Sequence, residues 1–281
     1  MVLTKEDRKK IENFVKEQPR NIQEIADKVG KSWRTADRYV KKIADQEGTI
    51  SYKTFRKGTR GALKIVYWNY TESVNTSRFK EFLYNKIESG RTKDDFSPFD
   101  IYQCVDQEDR SAFLERQGSE DPDLKQDLKG ALEKAEDKVL VFSGDLSWAN
   151  IQQDGKSFLD LFSELGDRGV SIRFLGRVDV ASLKNAKKLL DVNKRVGHDA
   201  LSIRHQEHPL RAFVVDDKLA RFKEIKSSEN DEEDDTFVFY EVFDPGWVSW
   251  TEKVFWNLYR AGLPAEKRIK DLESIQNLEV I

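Results

Sequence analysis

The stretch "NIQEIADKVGKSWRTADRYVKKI", residues 21–43, predicts two short helices joined by a tight turn. Asn21 is a suitable N-cap, and Glu24 stands where a capping box needs an acidic residue. Gly30 is a typical helix stop, and Ser32 is the N-cap residue of the helix that follows. The second helix has an apolar face with helical spacing, made of Ala36, Val40 and Ile43.

The segments on both sides extend this pattern into a small domain. A helix capped by Thr4 precedes it and ends at Pro19. Two β-type runs, residues 49–55 and 63–68, follow it and are joined by the Gly-rich basic segment "RKGTRGA". Three helices and such a hairpin resemble the winged helix-turn-helix of many transcription regulators.

The charge of this region indicates a polyanionic partner. Residues 1–70 carry 17 Lys and Arg against 9 Asp and Glu, whereas the rest of the chain carries 31 against 42. We therefore predict that the third helix lies in the major groove of DNA and that the hairpin contacts the backbone. A solvated basic helix is the alternative. The residues predicted to bind DNA are Ser32, Trp33, Arg34, Thr35, Arg38, Tyr39 and Lys42 on the helix, and Arg56, Lys57 and Arg60 in the hairpin.

The overall composition excludes several classes of protein. No apolar run approaches the roughly 18–20 residues of a membrane-spanning helix, and the N-terminus "MVLTKEDRKK" lacks the apolar core of a signal peptide. Cys104 is the single cysteine, so no internal disulfide is possible and a cytoplasmic location is expected. One cysteine and three histidines leave little for a zinc site. We expect no metal and no cofactor, although a Cys–His nucleophile pair at Cys104 stays open.

Residues 73–121 are predicted to be a linker helix and a connecting segment. The run 77–89, "SRFKEFLYNKIES", has helical spacing of apolar residues, and residues 90–98 and 116–123 indicate loops. The helix either pairs with its copy in a dimer or packs on its own body. Its apolar stripe consists of Phe79, Phe82, Leu83 and Ile87.

From residue 122 onward, helical and β-type runs alternate, and three β-type runs then follow in quick succession. This order predicts a mixed sheet with helices on its faces. The acidic tract 229–235 is expected to be a solvated loop, and an aromatic helix over 247–261 is expected to close the fold. The predicted strands are residues 138–144, 171–176, 200–205, 211–217, 219–225 and 237–244, and the predicted helices before them are residues 124–135, 156–170 and 181–196.

The order of these runs resembles a phospholipase D-like fold, and more narrowly the C-terminal domains of archaeal regulators of the TrmB type. Together with "DRGV" before a strand and "HPLRAFVVDD" before another, it implies three parts. Residues 1–72 are an α+β winged helix-turn-helix DNA-binding domain, and residues 73–121 are the linker. Residues 122–281 are a mixed α/β phospholipase D-like regulatory domain.

The resemblance also implies where a catalytic site would lie. Active members carry a His, a Lys two residues on, and an Asp five residues after that, and they need two such motifs. Here Arg211 replaces the Lys and Asp216 keeps its spacing, but Pro209 occupies the His position and His208 comes one residue too early. No second motif is present. We therefore predict no catalytic residues, with an ordinary strand and turn as the plainest interpretation.

A pocket that now binds an effector is a third interpretation of this stretch. The segment "SGDLSW", residues 143–148, follows a strand, where open α/β sheets bind ligands. Arg211 would hold an anionic group in a bidentate manner. The predicted pocket residues are Ser143, Asp145, His208, Arg211 and Asp216.

These observations predict a cytoplasmic, dimeric, sequence-specific DNA-binding transcription regulator with a catalytically inactive phospholipase D-like effector or dimerisation domain. Its expected partners are double-stranded DNA, a second copy of the chain and a small anionic or sugar effector, with no membrane. One alternative is a DNA-directed phosphodiesterase that completes its site as a homodimer. An adaptor that uses the winged helix for protein contacts is the other, and the positive charge of residues 1–70 argues against it.

Overall fold

The computed structural model describes residues 3–56, 62–69, 76–116, 128–228 and 231–278. Its N-terminal unit, residues 3–69, joins three helices to a three-stranded antiparallel sheet in the order β1-β3-β2. The elements are α1 (Lys5–Glu17), β1 (Arg20–Asn21), α2 (Ile22–Val29), α3 (Trp33–Glu47), β2 (Ile50–Arg56) and β3 (Ala62–Trp68).

The helix ends in this unit follow the predicted capping signals. Thr4 Oγ1 accepts a hydrogen bond from the backbone of Asp7 at 3.0 Å. Asn21 and Glu24 form both bonds of the capping box, at 2.8 and 2.6 Å. Gly30 ends α2 with a φ of 62°, a left-handed conformation that favours glycine. Each of these signals involves residues no more than four positions apart, so the sequence alone was enough to predict the helix ends.

The larger unit is built on an eight-stranded mixed sheet in the order β13-β9-β8-β5-β10-β11-β12-β4. β5, β8 and β9 are parallel, and every other neighbouring pair is antiparallel. The strands are β4 (Arg110–Arg116), β5 (Lys138–Ser143), β8 (Ser171–Gly176), β9 (Leu201–His205), β10 (Ala212–Val215), β11 (Leu219–Ser228), β12 (Asp231–Val242) and β13 (Leu263–Pro264), with β6 (Gln152–Gln153) and β7 (Lys156–Ser157) as a separate hairpin.

Helices cover both faces of this sheet, as the sequence predicted. One face packs on α7, α8 and α10, and the opposite face packs on α4, α5 and α9. Alternate residues of β5 divide between the two faces, with Val139 and Val141 on the first and Leu140 and Phe142 on the second. The helices are α4 (Thr76–Ser89), α5 (Phe99–Tyr102), α6 (Leu128–Glu133), α7 (Phe158–Asp167), α8 (Leu183–Val196), α9 (Pro245–Ala261) and α10 (Ala265–Leu278).

The N-terminal hairpin shares a core with the larger unit. Phe55 on β2 and Ile65 on β3 belong to the cluster that covers the second face of the large sheet. The ring of Phe55 lies 6.3 Å from those of Phe99 and Tyr102 and 6.1 Å from that of Tyr240. The two units therefore meet through a continuous apolar junction.

Several elements differ from the sequence-based expectations. The segment 73–121 contributes a sheet strand, since β4 pairs with β12 along its whole length. The prediction of a solvated loop over the acidic tract was wrong from residue 231 onward, because β12 begins at Asp231 and pairs with β11. A further helix, α10, follows the aromatic helix that was expected to close the fold, and Ile269 and Leu272 bury its apolar side.

The linker helix α4 packs on its own body with part of its apolar stripe. Leu83 and Ile87 are fully buried in the core, whereas Phe82 remains 43% exposed. Within the ranges that the structure describes, no helix is both long and apolar enough to cross a membrane.

Candidate nucleic-acid interface and ligand pocket

The outer face of α3 presents cations at regular spacing. Arg34, Arg38 and Lys42 are exposed and stand four residues apart, so they follow one side of the helix at intervals of about 6 Å. Trp33 in the first turn is 48% exposed. A row of this length matches the major groove, which is about 12 Å wide.

Tyr39 does not belong to this face, and its assignment to the DNA-binding set was wrong. Its side chain is 1% exposed and packs in the core of the N-terminal unit with Ala36, Val40 and Ile43. The reason is helical geometry, because position 39 lies three residues after 36 and four before 43, on the buried side. A large aromatic ring fills that core, so it is not presented to a ligand.

Ser32 and Thr35 form hydrogen bonds with each other at the start of α3. The backbone of Thr35 donates to Ser32 Oγ at 3.4 Å, and the two hydroxyls lie 3.0 Å apart. An N-cap of this kind satisfies backbone groups that the helix leaves open. Three of the predicted DNA-binding cations lie outside the described residues, namely the side chain of Arg56 and the residues Lys57 and Arg60.

An ion-pair network fixes α3 on the hairpin. Asp37 pairs with Lys64 on β3 and with Lys41 on α3, the latter at 2.9 Å. Partial burial raises the pKa of Asp37, but the two lysines outweigh it and hold that pKa below its ordinary value. The carboxylate is thus neutralised by fixed partners, which limits its repulsion of anions at this face.

A cavity of about 740 Å³ opens where three strand ends of the large sheet meet. β5 ends at Ser143, the neighbouring β8 ends at Gly176, and β10 begins at Ala212 next to them. The residues beyond these ends, Gly144, Arg177 and Arg211, all line the cavity. Crevices at the carboxyl ends of parallel strands are the usual ligand sites of open α/β sheets.

Arg211 is the central cation of this cavity. Its guanidinium group lies so close to the backbone of Gly144 that a Cβ atom on residue 144 would overlap it. Arg211 Nη1 donates a hydrogen bond to the carbonyl of Leu210 at 3.1 Å. Burial lowers the pKa of Arg211, the nearby Asp145 carboxylate raises it, and Arg177 lowers it further. Since an arginine stays charged in proteins, this is a partly buried cation suited to an anion.

Sequence reasoning missed most of the other charged residues here. Arg177 follows a strand as Gly144 does, and it forms an ion pair with Asp179 at 2.8 Å. Arg221 and Lys223 project from β11, where charged residues alternate with apolar ones, and that alternation was the available signal. The charged lining consists of Lys93, Arg177, Arg211, Arg221 and Lys223 against Glu115, Asp145 and Asp154, with Phe142, Trp148, Phe213 and Phe239 as aromatic walls.

His208 was predicted to line the pocket, and it does not. Its side chain is 3% exposed, and its ring packs edge-on against Phe142. Nε2 must donate to the carbonyl of Leu175 at 3.0 Å, because a carbonyl only accepts. Burial lowers the pKa of His208 to about 4. The ring is neutral at pH 7 and is turned toward the protein interior.

Asp216 lies at the opposite end of β10 and was wrongly placed in the pocket. Four residues of strand separate it from Arg211, and its carboxylate accepts from the backbones of Glu136, Asp137 and Lys138 at 3.1, 3.0 and 3.0 Å. Burial raises the pKa of Asp216, but these backbone donors outweigh it and lower that pKa. Its role is to close the turn before β5.

Ser143 and Asp145 do line the cavity, as predicted, and both also shape its wall. Ser143 Oγ accepts from the backbone of Leu146 at 3.0 Å, and Asp145 Oδ1 accepts from the backbone of Ser147 at 3.1 Å. These bonds hold the loop after β5 in a fixed turn. Of the five predicted pocket residues, the structure therefore brings together three, namely Ser143, Asp145 and Arg211.

The cavity is suited to binding an anion. The described residues offer few groups for metal binding or nucleophilic chemistry. Among the described residues, no group of three or more His, Cys, Asp or Glu side chains is arranged to hold a metal ion. Burial and, to a smaller extent, the Asp100 carboxylate together raise the pKa of Cys104 to about 12. The thiolate, which is the nucleophilic form, is then scarce at neutral pH.

Comparison with known proteins adds three structural likenesses. No family model and no curated protein matches the chain. TrmBL2, an archaeal chromatin protein, aligns over 92% of this chain and 93% of its own, with 14% identity and a TM-score of 0.40. The phospholipase D family member Nuc from Salmonella typhimurium aligns over 55% of this chain and 97% of its own, with 10% identity and a TM-score of 0.39. NucT from Helicobacter pylori aligns over 55% and 98%, with 13% identity and a TM-score of 0.38. All three TM-scores lie below 0.5, too low for these likenesses to decide the fold or function of this chain.

Proposed function

We propose that this chain is a sequence-specific DNA-binding transcription regulator whose N-terminal unit is a winged helix-turn-helix. The observation that carries the proposal is the outer face of α3, where Arg34, Arg38 and Lys42 are exposed in one row above a fully buried opposite face. In this arrangement α3 enters the major groove with its cations against base edges and phosphates. The hairpin β2–β3, carrying the basic segment at its tip, lies along the adjacent backbone.

The rigid mounting of α3 supports this function. Sequence readout needs side chains held in one geometry, and the network of Asp37, Lys41 and Lys64 ties the recognition helix to the hairpin. The buried core around Tyr39 holds the helix from behind. A dimer of the chain would present two such helices to a pseudopalindromic site, with half-sites separated by multiples of about 10–10.5 base pairs.

We further propose that the second unit is a catalytically inactive phospholipase D-like domain that binds an anionic effector. His208 is buried and donates to a backbone carbonyl, and Asp216 is at the far end of β10, so neither faces Arg211 across the cavity. Arg211 and Arg177 at the strand ends then serve to bind an anionic group. The aromatic walls accommodate an apolar body of the ligand.

The function is tested by selecting duplexes from a random library with the full chain and measuring affinity by fluorescence anisotropy. We expect an enriched sequence that binds about 10³-fold or more tightly than the starting pool. Equal affinity for all duplexes, or no binding at low salt, would contradict the proposal.

A separate assay tests whether the second unit is catalytically inactive. Bis-p-nitrophenyl phosphate and single-stranded DNA should be hydrolysed at the background rate by the wild-type chain and by His208→Ala alike. Metal-independent hydrolysis that disappears in His208→Ala would replace the regulator with a homodimeric phosphodiesterase.

A further inference from the structure

The two faces of strand β11 lie against two different parts of the molecule. Arg221, Lys223 and Ile225 line the cavity. Between and beyond them, Glu224 and Lys226 point to the other side, toward the junction with the N-terminal unit. One strand therefore has the ligand cavity on one face and the DNA-binding unit on the reverse face.

The charged pair on the reverse face is buried and crosses the junction. Glu224 and Lys226 are 7% and 8% exposed, and their charged groups lie 3.0 Å apart. Lys226 Nζ also donates to the carbonyl of Pro19, in the N-terminal unit, at 3.3 Å. Glu224 Oε2 accepts from Tyr240 Oη at 2.8 Å. The lysine is thus anchored on the sheet and reaches the turn that follows α1.

A second lysine makes the same kind of connection. Lys86 Nζ on α4 donates to the carbonyl of Glu17, the last residue of α1, at 3.0 Å. It also pairs with Asp100 Oδ2 at 3.3 Å, and Asp100 is 3% exposed. The carbonyls at a helix C-terminus carry partial negative charge and lack helical partners, so cations are favoured there.

Stability alone is a poor explanation for these two lysine–carboxylate pairs, one of them buried and the other with a half-buried lysine. The cost of removing both charges from water offsets most of their attraction, and apolar residues of the same volume often stabilise a fold as well or better. The pairs instead specify how the two units are oriented, because each lysine can contact both its carboxylate and its backbone carbonyl only when the units are in one relative position.

We propose that Lys86 and Lys226 form a clamp that holds the N-terminal unit in one orientation on the large sheet, and that β11 makes this clamp respond to an anion in the cavity. The response to an anion rests on the proposed function of the cavity. Arg221 is already paired with Glu241 on β12, Nε to Oε1 at 2.9 Å. An anion that binds Lys223 and competes with Glu241 for Arg221 shifts β11 by small amounts, and the reverse face then changes the distance from Lys226 to Pro19. The recognition helix is repositioned as a consequence.

The orientation can be measured on the full chain with two spin labels. Asn13 on α1 and Lys184 on α8 are exposed, and the variants Asn13→Cys and Lys184→Cys accept the labels. Cys104 can stay, because its thiol has a pKa raised to about 12 by burial and reacts slowly at neutral pH. Pulsed electron paramagnetic resonance then gives the distance distribution between the two units.

The variant that tests the clamp is the double change Glu224→Gln with Lys226→Met. Lys226→Met alone would leave Glu224 charged and buried, which threatens folding, whereas the double change removes both charges at nearly constant volume. We expect the narrow wild-type distribution to broaden or shift. The matched control is Lys53→Met, which removes a lysine at the same junction that donates to Tyr102 Oη at 2.9 Å and should leave the distribution narrow.

The coupling is tested with pyrophosphate as the probe of the cavity. Saturating pyrophosphate should shift the wild-type distribution and leave that of the double variant unchanged. Pyrophosphate that binds without any shift overturns the coupling alone, whereas pyrophosphate that does not bind to the wild type overturns the proposed anion site and the coupling with it. A double variant that keeps the wild-type distribution overturns the clamp. Since no arm uses DNA, failure of the clamp and failure of the proposed DNA binding are distinguishable.

Discussion

The guanidinium group of Arg211 lies against the backbone of Gly144, so closely that any Cβ atom on residue 144 would overlap Arg211 Nη2. The two residues are adjacent because β5 ends and β10 begins at the same edge of the sheet. Glycine at 144 thereby sets the position of the cation in the cavity.

This contact makes the cavity testable without altering its charge. Gly144→Ala should push the flexible arginine aside and weaken pyrophosphate binding about 10- to 100-fold, since a charge-assisted hydrogen bond contributes roughly 1.5–3 kcal/mol. Arg211→Gln should cause a similar loss. Titration calorimetry measures both.

Gly246→Ala is the matched control, because Gly246 is exposed in the first turn of α9 and does not line the cavity. Pyrophosphate affinity should be unchanged there. If Gly144→Ala and Arg211→Gln both bind pyrophosphate as the wild type does, the anion site is not at Arg211.

The recognition helix should carry sequence preference. Arg34→Ala and Arg38→Ala should each cost about 1–3 kcal/mol on the selected duplex and less on a scrambled one, because an arginine that reads a guanine loses its partner. Lys9→Ala is the control, since Lys9 is an exposed lysine on α1 rather than α3. Equal losses on both duplexes would mean that these arginines contact phosphates only.

The hairpin is expected to behave differently from α3. Lys57→Ala, which removes a cation of the basic segment, should weaken binding to all duplexes alike. The slope of log affinity against log salt should fall by about 0.9, the value for one released counterion. Anisotropy titrations over a range of salt concentrations give this slope, and an unchanged slope would remove the residue from the interface.

Two buried groups should give opposite pH dependences of stability. Burial raises the pKa of Asp100 from 3.8 to about 6, although Lys86 lowers it in part. The folded state then holds this proton more tightly than the unfolded state, so stability is lost as pH rises from about 4 to 6. His208 has its pKa lowered to about 4 by burial, so its contribution to stability is lost as pH falls from about 6.5 to 4.

Each effect is about 3 kcal/mol at full extent, and in the wild type the two oppose each other. Denaturant unfolding at several pH values separates them. Asp100→Asn should leave a stability that rises with pH between 4 and 6.5, and His208→Gln should leave one that falls between 4 and 6. If the stability of the two variants changed with pH in the same way, neither group would titrate as its burial implies.

The exposed part of the linker helix α4 offers a surface for a second copy. Leu83 and Ile87 are used by the chain's own core, whereas Phe82, 43% exposed, is an apolar residue of this helix that an interface could bury. We expect a dimer in sedimentation at micromolar concentration and a monomer for Phe82→Asp, because a buried, unpaired carboxylate opposes association.

Phe243→Asp is the matched control, since Phe243 is 42% exposed and stands at the end of β12 rather than on α4. It should remain dimeric. A wild-type monomer with and without DNA would contradict the two-fold arrangement altogether.

The sequence by itself determined the local elements of this protein. The ends of α1 and α2 follow from Thr4, Asn21 and Gly30, and the alternation of helix and strand from residue 138 to 225 was readable from apolar spacing. These signals work because capping, backbone conformation and amphipathic spacing involve residues within a few positions of one another. For the same reason, the cations of α3 and the place of Arg211 at the head of a strand could be predicted from the sequence.

Only the tertiary structure decided which side chains meet. The five-residue spacing from Arg211 to Asp216 suggested one site. In the structure the strand β10 lies between them, so the two residues are at opposite ends of that strand. Arg221 and Lys223 enter the cavity through β11, and Lys226 meets Pro19 across 207 residues of sequence. Such contacts depend on how strands are ordered in the sheet, which no local pattern encodes, and they place the cavity and the N-terminal unit on two faces of one strand.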